Sequence, residues 1–247
     1  MIPLTRGWTS IQRTAQNNLR LGVTLCFVAG ATNAGGYLAV GQYTSHMTGV
    51  LSSVTDNLVL GQFALASVGF AALLAFLCGA MTTAWMVNWG LRRKLQSAYG
   101  RPLLLEAGLL LIFGLFGAGI NLWAGFFAPL TVLLLCFIMG LQNAVITKIS
   151  HAEIRTTHIT GLITDLGIEL GKLTYLNRLT RESPVTANRQ RLGIHVKLIV
   201  SFFIGGITGA FGFKTAGFAT TIPLSVLLLL LVLRPVLNDA KNWIDPH

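Results

Sequence analysis

The sequence predicts an all-α integral membrane protein with six transmembrane helices, arranged as two inverted three-helix repeats that each carry a short re-entrant or interfacial helix. Composition is the first reason. Of 247 residues, 53% are apolar and only 11% charged, with a mean hydropathy of +0.67. A soluble domain carries roughly 25% charged residues, so lipid is the solvent for most of this chain. Second, apolar runs of about 20 residues, the length that crosses a bilayer as helix, fall at roughly 21–41, 67–89, 103–125, 129–148, 192–213 and 216–235. They are too long and too continuous for barrel strands, and only helices or closed barrels satisfy their backbone groups in lipid. Third, a polar string comes back. Ser45-His46-Met47-Thr48-Gly49 is echoed by Thr157-His158-Ile159-Thr160-Gly161, in each case between two apolar runs.

Taken in order, residues 1–20 hold Arg6, Arg13 and Arg20 among polar residues. The apolar run behind them is too long for a signal-peptide core and shows no small-residue cleavage site, so it reads as a retained first helix. That helix, 21–41, carries Gly30, Thr32, Asn33, Gly35 and Gly36, a weak and polar place at mid-membrane depth. The first histidine string follows, with Ser45 or Thr48 as N-cap of a short helix reaching Gly61. Helix 67–89 brings the small-residue stretch Gly79 to Ala84, suited to close packing, and ends on Trp85 and Trp89. Helix 103–125 holds Glu106, expected at the interface beside Arg101, and Asn121 with Trp123 near its other end. A turn at Pro129 leads into 129–148, whose Gly140, Gln142 and Asn143 repeat the polar break of the first helix. After the second histidine string come Asp165 and Glu169, the latter expected to be solvated, and a basic loop over 172–191. Helices 192–213 and 216–235 complete the chain, with Pro223 expected to kink the last. Cys26, Cys78 and Cys136 lie inside apolar helices and read as packing residues rather than a disulfide framework.

The net charge of +10 reads as membrane orientation rather than nucleic-acid binding. With the N-terminus inside, only Lys214 of the 18 lysines and arginines falls clearly outside, while Lys197 sits low in the fifth span. That bias toward the cytoplasm puts both termini inside. It also counts the spans. A full crossing by 47–65 would carry Arg92-Arg93-Lys94 and Arg101 outside, so the first histidine segment does not cross.

The repeat extends beyond the histidines. Leu25-Cys26-Phe27, Gly30 and Asn33 recur as Leu135-Cys136-Phe137, Gly140 and Asn143, displaced by about 110 positions, too long a period for a solenoid. Thr55-Asp56 answers to Thr164-Asp165, and Phe76, Gly79 and Thr82 to Phe202, Gly205 and Thr208. Residues 1–247 therefore form one membrane domain of two halves, 21–125 and 129–235. Three spans per half make the second half run opposite to the first, an architecture in which interrupted helices from both halves meet at a midplane site. The Gly/Asn-bearing first helix, the Ser45-to-Gly49 string and its looser copy together resemble the YoaK-like family of bacterial inner-membrane proteins. The resemblance implies a six-helix, multi-pass protein of the bacterial cell membrane and adds nothing about a substrate.

Candidate site residues follow from the repeat. His46 and His158 each stand at the start of a short helix, where free N–H groups and the dipole favour anions and where imidazole titrates near neutral pH. Thr48 and Thr160 add hydroxyls, and Asn33 and Asn143 add amides; these six are the expected substrate-binding set. Asp56 and Asp165, ionisable groups in membrane segments, are the expected proton-coupling pair. Structural readings stand beside these: histidines that brace a turn, aspartates solvated at the interface, amides that join helices. No nucleotide-binding glycine fingerprint, nucleophile elbow or metal-ligand spacing is present, so no catalytic residue, metal or cofactor is expected, and the chain does not read as an enzyme. The expected function is secondary transport of a small solute or ion, with a scaffold or assembly partner whose repeat serves packing as the other class. Expected partners are the lipid bilayer and the solute. A homodimer is compatible with so few helices, though no motif specifies one.

Overall fold

The computed structural model describes Thr9 and residues 14–116, 124–177 and 184–244; for residues 116, 124–128 and 242–244 it describes the backbone alone. The regular structure among the described residues is helical: α1 Ala15–Val40, α2 Met47–Val59, α3 Phe63–Arg92, α4 Gly100–Phe116, α5 Ala124–Ile149, α6 Ile159–Thr174, α7 Arg189–Ala216 and α8 Thr221–Ile244. Local chemistry sets several ends. Thr14 caps α1, its hydroxyl accepting from the Asn17 N–H at 3.2 Å, so the helix begins before the apolar run expected at 21. Gly41 closes it at φ 70°, a left-handed conformation that glycine adopts without steric cost. Asn188 caps α7 by accepting from the Arg191 N–H at 3.0 Å. A 3₁₀ turn, Gly217–Thr220, joins α7 to α8.

Two prolines sit differently from expectation. Pro129 lies inside α5 rather than in a turn before it. Pro223 occupies the first turn of α8, where its missing N–H has no partner to lose, so it makes no kink. Asn121 and Trp123 lie outside the described residues.

Among the described residues, four stretches are long and apolar enough to cross a membrane: Ala15–Val40, Phe63–Arg92, Pro129–Ile149 and Arg189–Lys241. The last, of 53 residues, holds α7, the 3₁₀ turn and α8 together. As one straight helix it would run about 80 Å against a hydrocarbon core of about 30 Å, and the turn at Gly217, φ 58°, breaks it. Of α4, 17 residues are described.

Each long helix of one half packs on a long helix of the other. α1 and α7 run parallel: Ser201 Oγ donates to the Val23 carbonyl at 2.7 Å, and Gly35 lies further along against Phe213. α3 and α5 do the same, with Thr83 Oγ1 donating to the Leu141 carbonyl at 3.0 Å and Lys148 Nζ to Asn88 at 3.3 Å. α1 and α5 are antiparallel, Asn18 near the start of one donating to the Ile149 carbonyl at the end of the other. So are α4 and α8, joined by Thr221 Oγ1 to the Leu110 carbonyl at 2.8 Å and Ser225 Oγ to the Ala107 carbonyl at 2.6 Å.

Four glycines make the two parallel contacts close. A methyl on Gly30 would overlap the Phe202 carbonyl, and one on Gly205 the Phe27 carbonyl. On the other pair, Gly140 faces the Phe76 carbonyl in the same way and Gly79 the Phe137 carbonyl. These are the residues the repeat pairs with each other. Such backbone approach gives dispersion contact that larger side chains forbid. Around it Leu21, Leu25, Leu135, Ile138, Met139 and Leu198 are fully buried. Cys26 and Cys136 are buried with them, whereas Cys78 is exposed.

Glu106 does not sit beside Arg101 as expected. It is fully buried in α4, and neither carboxylate oxygen has a partner among the described residues. Arg101 lies instead over the Trp89 ring, 4.4 Å from its centroid, and Arg93 lies over the same ring at 4.5 Å; each is a cation–π contact. We call this end, where α1 begins and α3 and α5 finish, the basic end of the bundle.

Candidate functional site

The site is built from two short helices and the chain that leads into each. After α1 ends at Val40 the backbone turns back, and Asn33 Oδ1 accepts from the Ser45 N–H at 3.2 Å and from its hydroxyl at 2.9 Å. Asn33 lies roughly 10 Å back from the end of α1, at about 1.5 Å per residue. In the second half Asn143 Oδ1 accepts from the hydroxyls of Thr157 at 2.8 Å and Thr156 at 3.3 Å. Asn143 lies roughly 9 Å back from the end of α5 by the same measure. Both lead-in segments are therefore tied roughly a quarter of the way back from the end of the long helix before them. The amides neither cross-link long helices nor stand free; each suspends a lead-in segment. α2 then packs on α3 through Val50 and Val54, and α6 on α7 through Leu162.

Ser45 and Thr48 are not the caps. His46 and His158 occupy the N-cap positions, and neither side chain bonds to a backbone N–H. The ring folds back along the helix. A methyl added to Gly49 would overlap the His46 imidazole, and one on Gly161 would overlap that of His158. This explains the motif's spacing: glycine three positions after the histidine leaves room for the ring over the first turn. His46, Thr48, His158 and Thr160 are exposed on the surface of the single chain.

The acids separate in role. Asp56 and Asp165 are both exposed. Asp165 lines a cleft of about 890 Å³ at the basic end, together with Asn18 of α1, Glu153 of the turn after α5, and Arg189, Arg191 and Lys197 of α7. Neither histidine nor Asp56 is among the residues lining it. Glu169 is buried rather than solvated. Lys172 Nζ donates to it at 2.8 Å and the Asn188 N–H at 2.6 Å, so the end of α6 holds the segment that starts α7. The Lys172 bond first, and the Asn188 bond after it, hold the Glu169 carboxyl below the usual carboxylate range. Gln142, the repeat mate of Thr32, is buried without a side-chain partner among the described residues, as is the Thr32 hydroxyl.

The structure thus joins Asn33 to the approach of His46 and Asn143 to that of His158. The anchors are Ser45, expected as a cap, and Thr156 and Thr157, for which no such contact was expected. A signal existed, since a hydroxyl residue immediately precedes the histidine in both copies. Nothing in the spacing said that it would reach an amide on the preceding helix.

An all-helical membrane protein with two suspended short helices is the class these features define. A family model described as "protein of unknown function (DUF1275)" matches residues 21–234, and the chain belongs to that family. It is also 30% identical over 146 residues to the UPF0700 transmembrane protein YoaK of Bacillus subtilis (strain 168). That match covers 58% of this chain and 62% of the relative, less than two thirds of its length. No solved structure matches.

Proposed function

We propose that the chain is a small secondary transporter of the bacterial inner membrane, built from two inverted three-span repeats, with its termini in the cytoplasm. In this reading α1, α3, α4, α5, α7 and α8 cross the bilayer. α2 and α6 re-enter it from opposite faces, and a solute path runs along their starts. Asn33, His46 and Thr48 serve one half of the path and Asn143, His158 and Thr160 the other. Asp56 and Asp165 are its proton-exchanging groups.

The observation that carries the reading is the matched suspension of α2 and α6 from Asn33 and Asn143. A short helix whose lead-in is tied roughly 10 Å back from the end of a spanning helix brings free N–H groups and a positive dipole end below the membrane surface. Lipid offers those groups no partner, so such a start belongs in a wet or ligand-lined place. The directions of the long helices support the inversion. α1 opposes its repeat mate α5 and α4 opposes α8, as a twofold axis in the membrane plane requires. The exposed hydroxyl and carboxyl groups of α2 and α6 support a water-filled path, since lipid would not solvate them.

The test is flux through proteoliposomes loaded with a pH dye and challenged with a panel of small metabolites and ions. Wild-type protein should move one class of solute, and the His46→Ala, His158→Ala double variant should lose that movement while staying folded. Identical leak from both for every solute would remove the transport reading and leave the scaffold.

A further inference from the structure

We propose that the cleft at the basic end binds a small zwitterion, a solute with one anionic and one cationic group held apart. The inference rests on reading this cleft as the mouth of the solute path. Its volume of about 890 Å³ lies within the range of small-molecule sites. Its walls carry opposite signs. Arg189, Arg191 and Lys197 come from α7, whereas Asp165 comes from α6 and Glu153 from the turn before it.

No ion pair among the described residues joins these walls; the pair found is Lys172 with Glu169, elsewhere on α6, whose carboxylate also feels the charge of Arg191. The cleft holds its two signs apart, farther than a direct bridge can reach. A solute with a carboxylate at one end and an ammonium at the other meets both walls at once, each by a charge-assisted hydrogen bond. Two further observations point the same way. Lys197 lies low in the apolar run of α7, exposed on the cleft wall, and is a cation without an ion-pair partner among the described residues. The Asn18 Oδ1 atom, buried at the cleft wall, has no donor among the described residues, an acceptor left over beside the site. A simple anion would leave Asp165 and Glu153 repelling it, and a simple cation would meet three positive side chains.

The experiment uses the full chain in lipid nanodiscs and measures binding by calorimetry. The zwitterions glycine, L-alanine and L-glutamine are compared with acetate and inorganic phosphate, which carry the anion alone, and methylammonium, which carries the cation alone. At least one zwitterion should bind, and each single-charge probe at least about tenfold more weakly, the loss of one charged contact. Lys197→Gln and Asp165→Asn should each weaken the zwitterion by a similar factor, with the melting temperature of the empty protein unchanged. Acetate or phosphate binding as tightly as the zwitterions, or no zwitterion binding at all, would overturn the proposal. Flux of some other solute alongside that result would sink this inference and spare the transport reading. Zwitterion binding without flux would do the reverse.

Discussion

At the scale of single residues, the histidine string is a steric device before it is a chemical one. His46 and His158 lie over glycine at the third position after them, and no side chain fits beneath the ring. Gly49→Ala should therefore displace the imidazole and lose flux to the level of His46→Ala. Its stability should fall by about 1–3 kcal/mol, the usual effect of overpacking, as measured by unfolding in detergent. A Gly49→Ala protein with full flux would show that ring position has no role. Glu169 gives a prediction with a pH sign. Its carboxyl is held below the usual range by Lys172 and by the Asn188 N–H. A depressed folded value contributes stability above the unfolded value and loses it as pH falls through the folded one. Glu169→Gln should thus be less stable than wild type at neutral pH, and the gap should close in acid. A gap that stays constant with pH would show that the charge of Glu169 contributes nothing.

At the scale of helices, the repeat is written most clearly where backbones touch. Gly30 with Gly205, and Gly140 with Gly79, each press against a carbonyl of the opposite half. Gly30→Val should push α7 away from α1 and markedly lower the yield of folded protein. Valine at Gly108, which faces open space, should be tolerated. Equal yields of the two would contradict the packing described. The long helices were legible because apolar length in a bilayer leaves few alternatives. Their ends were not, since caps such as Thr14 and Asn188 lie in polar sequence beyond the apolar runs. Pro223 read as a kink only because the boundary before it was set too early. Glu106 and Glu169 were misplaced for a related reason: charge argues for water, and only the fold reveals which carboxyl it covers. The suspended starts of α2 and α6 depend on contacts across a turn, which periodicity does not encode.

At the scale of the molecule, the proposed solute path depends on inversion. Parallel pairs α1 with α7 and α3 with α5, and antiparallel pairs α1 with α5 and α4 with α8, fit one arrangement in which the two short helices enter from opposite faces. Were α2 and α6 on the same face, the matched histidines would serve two unrelated loops and no shared path would follow. The direct measurement is side-specific labelling of Thr48→Cys and Thr160→Cys in sealed vesicles, with Cys26, Cys78 and Cys136 replaced by alanine and a membrane-impermeant maleimide added to one side at a time. Thr48→Cys should react only from the face shared with Lys214, and Thr160→Cys only from the face shared with Arg92. Labelling of both from a single face would contradict the inverted arrangement and the transport path built on it.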